Sequence, residues 1–119
     1  MTDSDYLELA AKAAGIQFSE LGGGGARYAP QPGIMQPYVY WNPLADDADA
    51  LMLAVKLAES APGTHFTLSI SKIHDGRGFA DAGFFSHINP TEQVVGPDLA
   101  AATRRAIVRA AAEVGRSMK

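Results

Sequence analysis

The run Tyr38-Val39-Tyr40-Trp41-Asn42-Pro43, followed by Leu44-Ala45-Asp46-Asp47-Ala48-Asp49, leaves the surrounding chain little freedom. An aromatic and β-branched stretch favours an extended strand. Asn42 can accept from the free N–H groups of a first helical turn, and Pro43 sits where a missing N–H costs nothing. Asp46, Asp47 and Asp49 place negative charge at the positive end of a helix dipole. The spacing therefore predicts a strand that passes directly into a helix over about 43–59. Leu44, Ala48, Leu51, Met52, Val55 and Ala58 form the main apolar stripe of that helix. Leu53 and Leu57 widen it and predict a second contact, such as a partner subunit.

The flanking segments read more simply. Residues 3–14 predict a helix begun by Asp3 or Ser4 and stopped by Gly15, with Tyr6, Leu7, Ala10, Ala11 and Ala14 on one side. Residues 16–21 suit a brief strand. Residues 22–37 carry five glycines and three prolines, which predicts a mobile excursion rather than a folded element. Ala61-Pro62-Gly63 ends the second helix. Residues 65–87 then predict a hairpin turning at Asp75-Gly76-Arg77-Gly78. In that register Lys72 faces Asp81, Ile70 faces Gly83, Leu68 faces Phe85 and Phe66 faces His87. The opposite face, with Thr67, Ser69, Ser71, Ala80, Ala82, Phe84 and Ser86, suits the alanine-rich first helix or a second subunit. After Asn89-Pro90 a short strand is expected at 93–95. Gly96-Pro97-Asp98 opens a last helix over 99–114, whose core face is Leu99, Thr103, Ala106, Ile107, Ala110 and Val114 and whose other side carries Arg105, Arg109 and Arg116.

At 119 residues the chain suits one α+β domain with one core. Its net charge of −3 lacks the basic face that duplex nucleic acid needs, so no such partner is expected. With no cysteine, disulfides and thiolate metal sites are excluded. No apolar run reaches the length of a membrane span, and Asp3 and Asp5 stand where a signal peptide needs basic residues. No membrane partner and a cytoplasmic location are the expectations.

Signals for catalysis are weak. In the hairpin register the three histidines lie apart, with His74 at the turn and His65 and His87 at the far end, whereas a metal needs converging ligands. Helix-start charge accounts for Asp46, Asp47 and Asp49 without a cation. The run of glycines at 22–25 lacks the spacing of a phosphate-cradling loop. No acid–base pair or nucleophile arrangement has a telling spacing, so no enzyme, metal or cofactor is expected. What remains is aromatic surface at Tyr38, Tyr40 and Trp41 and guanidinium groups at Arg27, Arg77, Arg104, Arg105 and Arg109. Arginine forks pair with phosphate and aromatic faces stack on bases, as a nucleotide binder requires, although solvated helices and strand cores carry the same residues.

The helix start from Trp41 to Leu51 and the run Ala102-Thr103-Arg104-Arg105-Ala106-Ile107-Val108-Arg109-Ala110-Ala111 resemble the phage ABA-sandwich domain family. In that family a helix start of the form P-S/T-x-D-x-A-A precedes two or three antiparallel strands and a final helix with an I-C/V-R-A-A core. The resemblance covers about residues 41–116 and leaves residues 1–40 as a variable addition. It implies an α/β/α sandwich, a small antiparallel sheet covered by helices on both faces. It also implies an oligomeric phage or prophage anti-defence protein in the host cytoplasm that sequesters a cyclic nucleotide immune signal, of the cyclic ADP-ribose type or a cyclic oligonucleotide, without cleaving it. Arg109 matches the arginine of the last-helix motif and is the expected phosphate contact. Chemistry adds Arg105 one turn earlier, Trp41 and Asn42 at the helix mouth, and Arg77 in the hairpin loop. The alternative is a non-catalytic structural or protein-interaction module with no small ligand.

Overall fold

The computed structural model describes every residue except 1, 22, 23, 30, 31, 34, 36, 37, 60–64, 74, 85–91 and 119. Its elements run α1 (Asp3–Ala14), β1 (Phe18–Leu21), β2 (Gly24–Tyr28), β3 (Tyr38–Trp41), α2 (Asp47–Glu59), β4 (Phe66–Lys72), β5 (Gly78–Phe84), β6 (Glu92–Gly96) and α3 (Leu99–Ser117). The mixed α+β class agrees with the sequence. The strands form two antiparallel three-stranded sheets, ordered β1-β2-β3 and β4-β5-β6. α3 packs on β5 and β6 with one side and on α1 with another, and α2 leans on α3. Helices on both faces of one sheet are not seen among the described elements. Thr67, Ser69, Ser71 and Gln93, on the face away from α3, are exposed.

α1 starts one residue earlier than either expected cap. Thr2 Oγ1 accepts from the Asp5 N–H at 3.2 Å while Asp5 Oδ2 accepts from the Thr2 N–H at 2.9 Å, a reciprocal capping box. Gly15 ends the helix in the left-handed region at φ 70°. α1 and α3 run parallel: Arg105 meets Asp3, Arg109 lies over Tyr6, and Lys12 donates to the Met118 carbonyl at 3.0 Å. Alanines at 10, 11, 106, 110 and 111 are all buried, and their small side chains let helix backbones approach closely.

The expected excursion at 22–37 is corrected in part, because residues 24–28 form β2, the central strand of its sheet. Gly25 pairs with Trp41 and Glu20, and a Cβ at Gly25 would strike the Phe18 ring. Phe18 lies across that bare backbone, edge-on to Trp41 at 6.0 Å, so an aromatic side chain supplies the cover the glycine lacks. Gly22 and Gly23 lie outside the described residues.

The start of α2 also differs. Asn42 organises a turn before the helix: its side-chain oxygen accepts from the Leu44 N–H at 3.1 Å and its carbonyl from Ala45 and Asp46. Asp46 is the cap proper, accepting from the Asp49 N–H at 3.1 Å. The apolar stripe is rotated from the expected one. Ala50, Leu53, Ala54 and Leu57 enter the core, Leu53 and Leu57 at 1 % exposure each, whereas Leu51 and Met52 are 61 % and 57 % exposed. Burying the two leucines withdraws about 1.5–3 kcal/mol of apolar side chain each from water. Leu53 and Leu57 are therefore core residues of this chain and not the second contact surface expected there.

The β4–β5 hairpin forms with its register moved by three residues. Lys72 pairs with Gly78, Ile70 with Ala80, Leu68 with Ala82 and Phe66 with Phe84. The loop is 73–77, where the Ile73 N–H donates to the Arg77 carbonyl at 2.8 Å and Asp75 Oδ1 accepts from the Arg77 N–H at 3.1 Å. An odd shift moves side chains to the other face. Ala80 and Ala82 consequently join Leu68 and Ile70 on the apolar side, and with Val94 they are buried under α3. Asp98 caps α3 as expected, accepting from the Ala101 N–H at 2.7 Å. Ala106, Ile107, Ala110 and Val114 are in the core, while Leu99 and Thr103 are half-buried. Ala102, Val108, Ala111 and Ala112 are buried as well, because α3 is covered on two sides. The turn at 61–63 and the connection at Asn89-Pro90 lie outside the described residues. No described helix is long and apolar enough to cross a membrane.

Candidate functional site

The end of α1, the middle of the first sheet and the outer side of α2 enclose a cleft of about 390 Å³, within the range of small-molecule sites. β2 contributes Arg27 and Tyr28, and β3 contributes the buried Trp41. Asp49, Met52 and Lys56 line it from α2, three and four residues apart and so on one face of the helix. Gly15, Ile16 and Gln17 close the end. Tyr28 is braced by Tyr38, edge to face at 5.5 Å. Among the described residues neither Arg27 nor Lys56 has an ion-pair partner. The Asp49 carboxylate accepts from the Asn42 N–H at 3.0 Å, which ties the residue after β3 to the first turn of α2. Two cations and one held carboxylate give the cleft a capacity for charge pairing.

The five residues singled out from the sequence fall in three places. Trp41 lines the cleft. Asn42 lies behind it, buried, and its amide is spent on structure: Nδ2 donates to the Tyr40 hydroxyl at 3.3 Å and Oδ1 accepts from Leu44. Arg105 and Arg109 are on α3 against α1. Arg105 Nη1 and Nη2 donate to the two carboxylate oxygens of Asp3 at 2.9 and 3.4 Å. That hydrogen-bonded pairing lowers the Asp3 pKa and raises that of Arg105. The Arg109 guanidinium stands 5.4 Å from the Tyr6 ring centroid, with its buried Nε lacking a hydrogen-bond partner among the described residues. Neither arginine lines the cleft. Arg77 is exposed in the β4–β5 loop and paired with Asp75 at 2.6 Å.

Of the remaining candidates, Arg104 is structural, donating from Nε to the Leu44 carbonyl at 2.9 Å and from Nη1 to Asp47 at 2.7 Å. His74 and His87 lie outside the described residues, and His65 is exposed just before β4. Among the described residues no three His, Asp or Glu side chains converge as metal ligands. Sequence reasoning passed over Lys56 and Tyr28 and left Arg27 among undifferentiated arginines. The available signal was Asp49, Met52 and Lys56 at helical spacing on the side of α2 away from Ala50 and Ala54. No protein-family model matches the chain, and no curated protein or solved structure matches it either.

Proposed function

We propose that the protein binds a small anionic, nucleotide-like ligand in the cleft between β2, β3 and α2 and holds it without chemical change. The observation that carries this reading is that Arg27 and Lys56 border one cleft and neither is in an ion pair among the described residues. The cleft holds two cations against the single Asp49 carboxylate, and a phosphate group would supply the further counter-charge. The resemblance of residues 41–116 to phage ABA-sandwich proteins narrows the ligand to a cyclic nucleotide immune signal, captured in the host cytoplasm by a homo-oligomer. The α/β/α sandwich belongs to the same reading; its second helical layer would have to come from outside the described elements. Stoichiometric capture of a scarce signal calls for a dissociation constant near nanomolar, about −12 kcal/mol.

The test is thermal unfolding with cyclic ADP-ribose isomers and a panel of cyclic di- and trinucleotides, followed by recovery of the nucleotide from the denatured complex. Binding to the folded state alone raises the melting temperature. Arg27→Ala and Lys56→Ala are expected to weaken binding about ten- to hundredfold each, the scale of one charge-assisted contact. Arg109→Ala separates this site from the last-helix motif, since in the cleft reading it leaves affinity unchanged. Recovery of altered nucleotide would mean an enzyme. No shift with any member of the panel would favour the second reading, a protein-interaction module, for which the apolar groove between α2, β4 and α3 is the specific observation.

A further inference from the structure

Among the described residues β4 is an edge strand, and apart from Lys72 at its end it lacks the usual protection of an edge. From residue 67 to residue 71 it carries no charge, proline or glycine, although exposed edges are normally blunted by such residues. Among the described residues nothing pairs with the outer side of residues 67–72. Beside this edge lies an apolar groove of about 610 Å³, walled by Leu51 and Ala54 of α2, Leu68 and Ile70 of β4, and Leu99 and Ile107 of α3. Leu51, Leu68 and Ile70 are 61 %, 38 % and 51 % exposed in the single chain.

We propose that a second copy of this chain docks on the β4 edge, pairing β4 with its own counterpart antiparallel about a two-fold axis at Ser69. The occupant is chosen by self-complementarity. Centred on Ser69, the pairing sets Leu68 of each copy opposite Ile70 of the other, on the groove side of the sheet. Thr67 falls opposite Ser71 on the other side. The Lys72 residues sit at opposite ends of the paired strands, apart from each other. A chain of net charge −3 repels its own copies, and residues 67–71 add no like charge to the contact. Residues 67–71 of β4 span about 17 Å, and their pairing makes one continuous six-stranded sheet with the two grooves abutting. The closed isologous contact covers the β4 edge of both copies at once. This inference gives a surface to the assembly in the functional reading above and does not depend on what the cleft binds.

The test reads mass in solution by sedimentation equilibrium of the full chain, without ligand. The parent protein is expected at twice the mass of one chain. Leu68→Lys and Ile70→Glu, each placing a charge against an apolar partner, are expected to weaken the dimer at least tenfold while keeping the far-ultraviolet circular dichroism of the fold. An equimolar mixture of the two variants should dimerise again, because the heterodimer joins Lys to Glu on one side and keeps Ile70 against Leu68 on the other. Should either variant lose its fold, Ser69→Lys, which sets two lysines face to face on the axis from an exposed position, takes its place and is expected to be a folded monomer. A monomeric parent at high micromolar concentration overturns the proposal and leaves the edge to a foreign strand. A dimer that survives the substitutions, or a mixture that fails to re-form one, overturns the β4 interface. All these readouts are independent of nucleotide binding, so the two readings fail separately.

Discussion

Gly115 of α3 lies so close beneath the backbone carbonyl of Leu9 in α1 that a Cβ at position 115 would overlap the Leu9 oxygen. The neighbour is helix backbone and cannot swing aside. Gly115→Ala gains about 1 kcal/mol of helix propensity, but it forces the two helices apart along their shared face. Its expected net effect is a loss of about 1–3 kcal/mol, read as a lowered midpoint in urea unfolding with an unchanged m-value.

The rotated stripe of α2 makes a paired prediction. Leu53→Ala opens the core and is expected to cost about 2–5 kcal/mol. Met52→Ala, one position away on the exposed side, should stay within about 0.5 kcal/mol. The reverse order in equilibrium unfolding would restore the phase expected from the sequence.

Arg104 and Asp47 form an ion pair whose members are unequal. Arg104 is largely buried and also donates to the Leu44 carbonyl, whereas Asp47 is mostly in solvent. Arg104→Ala should cost about 1–3 kcal/mol because the turn before α2 loses its anchor. Asp47→Asn should cost less than about 1 kcal/mol, as exposed partners do.

The Asp3–Arg105 pair predicts an acid sensitivity of known sign. Hydrogen bonding to Arg105 holds the folded Asp3 carboxyl below its ordinary value of 3.8. The unfolded chain therefore binds this proton first as the pH falls. The stabilisation is complete above that ordinary value and is lost as the pH drops through the lower folded one. Asp3→Asn should flatten this part of the stability profile, measured by denaturant melts from pH 5 down to pH 2.

Local chemistry made much of the fold legible. Gly15 stops α1, Asp98 caps α3 and the aromatic run at 38–41 is a strand, because each effect is settled within a few residues. What failed depended on partners far along the chain. α2 is apolar on more than one side, so its own residues do not say whether Leu53 or Met52 faces inward; the packing against α3 and Trp41 does. The hairpin register hung on the bonds that close the loop between Ile73 and Arg77. The glycines of β2 argue locally against a strand, and the contact that favours Gly25 there, the ring of Phe18, comes from a neighbouring strand. The cleft inherited that misreading. Arg27 and Tyr28 belong to the misjudged strand, and Lys56 meets them only after α2 docks.

The parallel pairing of α1 and α3 also sets when the protein can fold. Asp3 and Arg105 are 102 positions apart, and the first helix has its largest partner in the last. During synthesis the side of α1 that packs on α3 must wait while nearly the whole intervening chain emerges. Such long-range closure slows folding, and it makes the final helix the step that commits the earlier segments to one structure. A ribosome stalled before residue 99 would hold strands and helices that lack the helix against which α1, α2 and β5 pack.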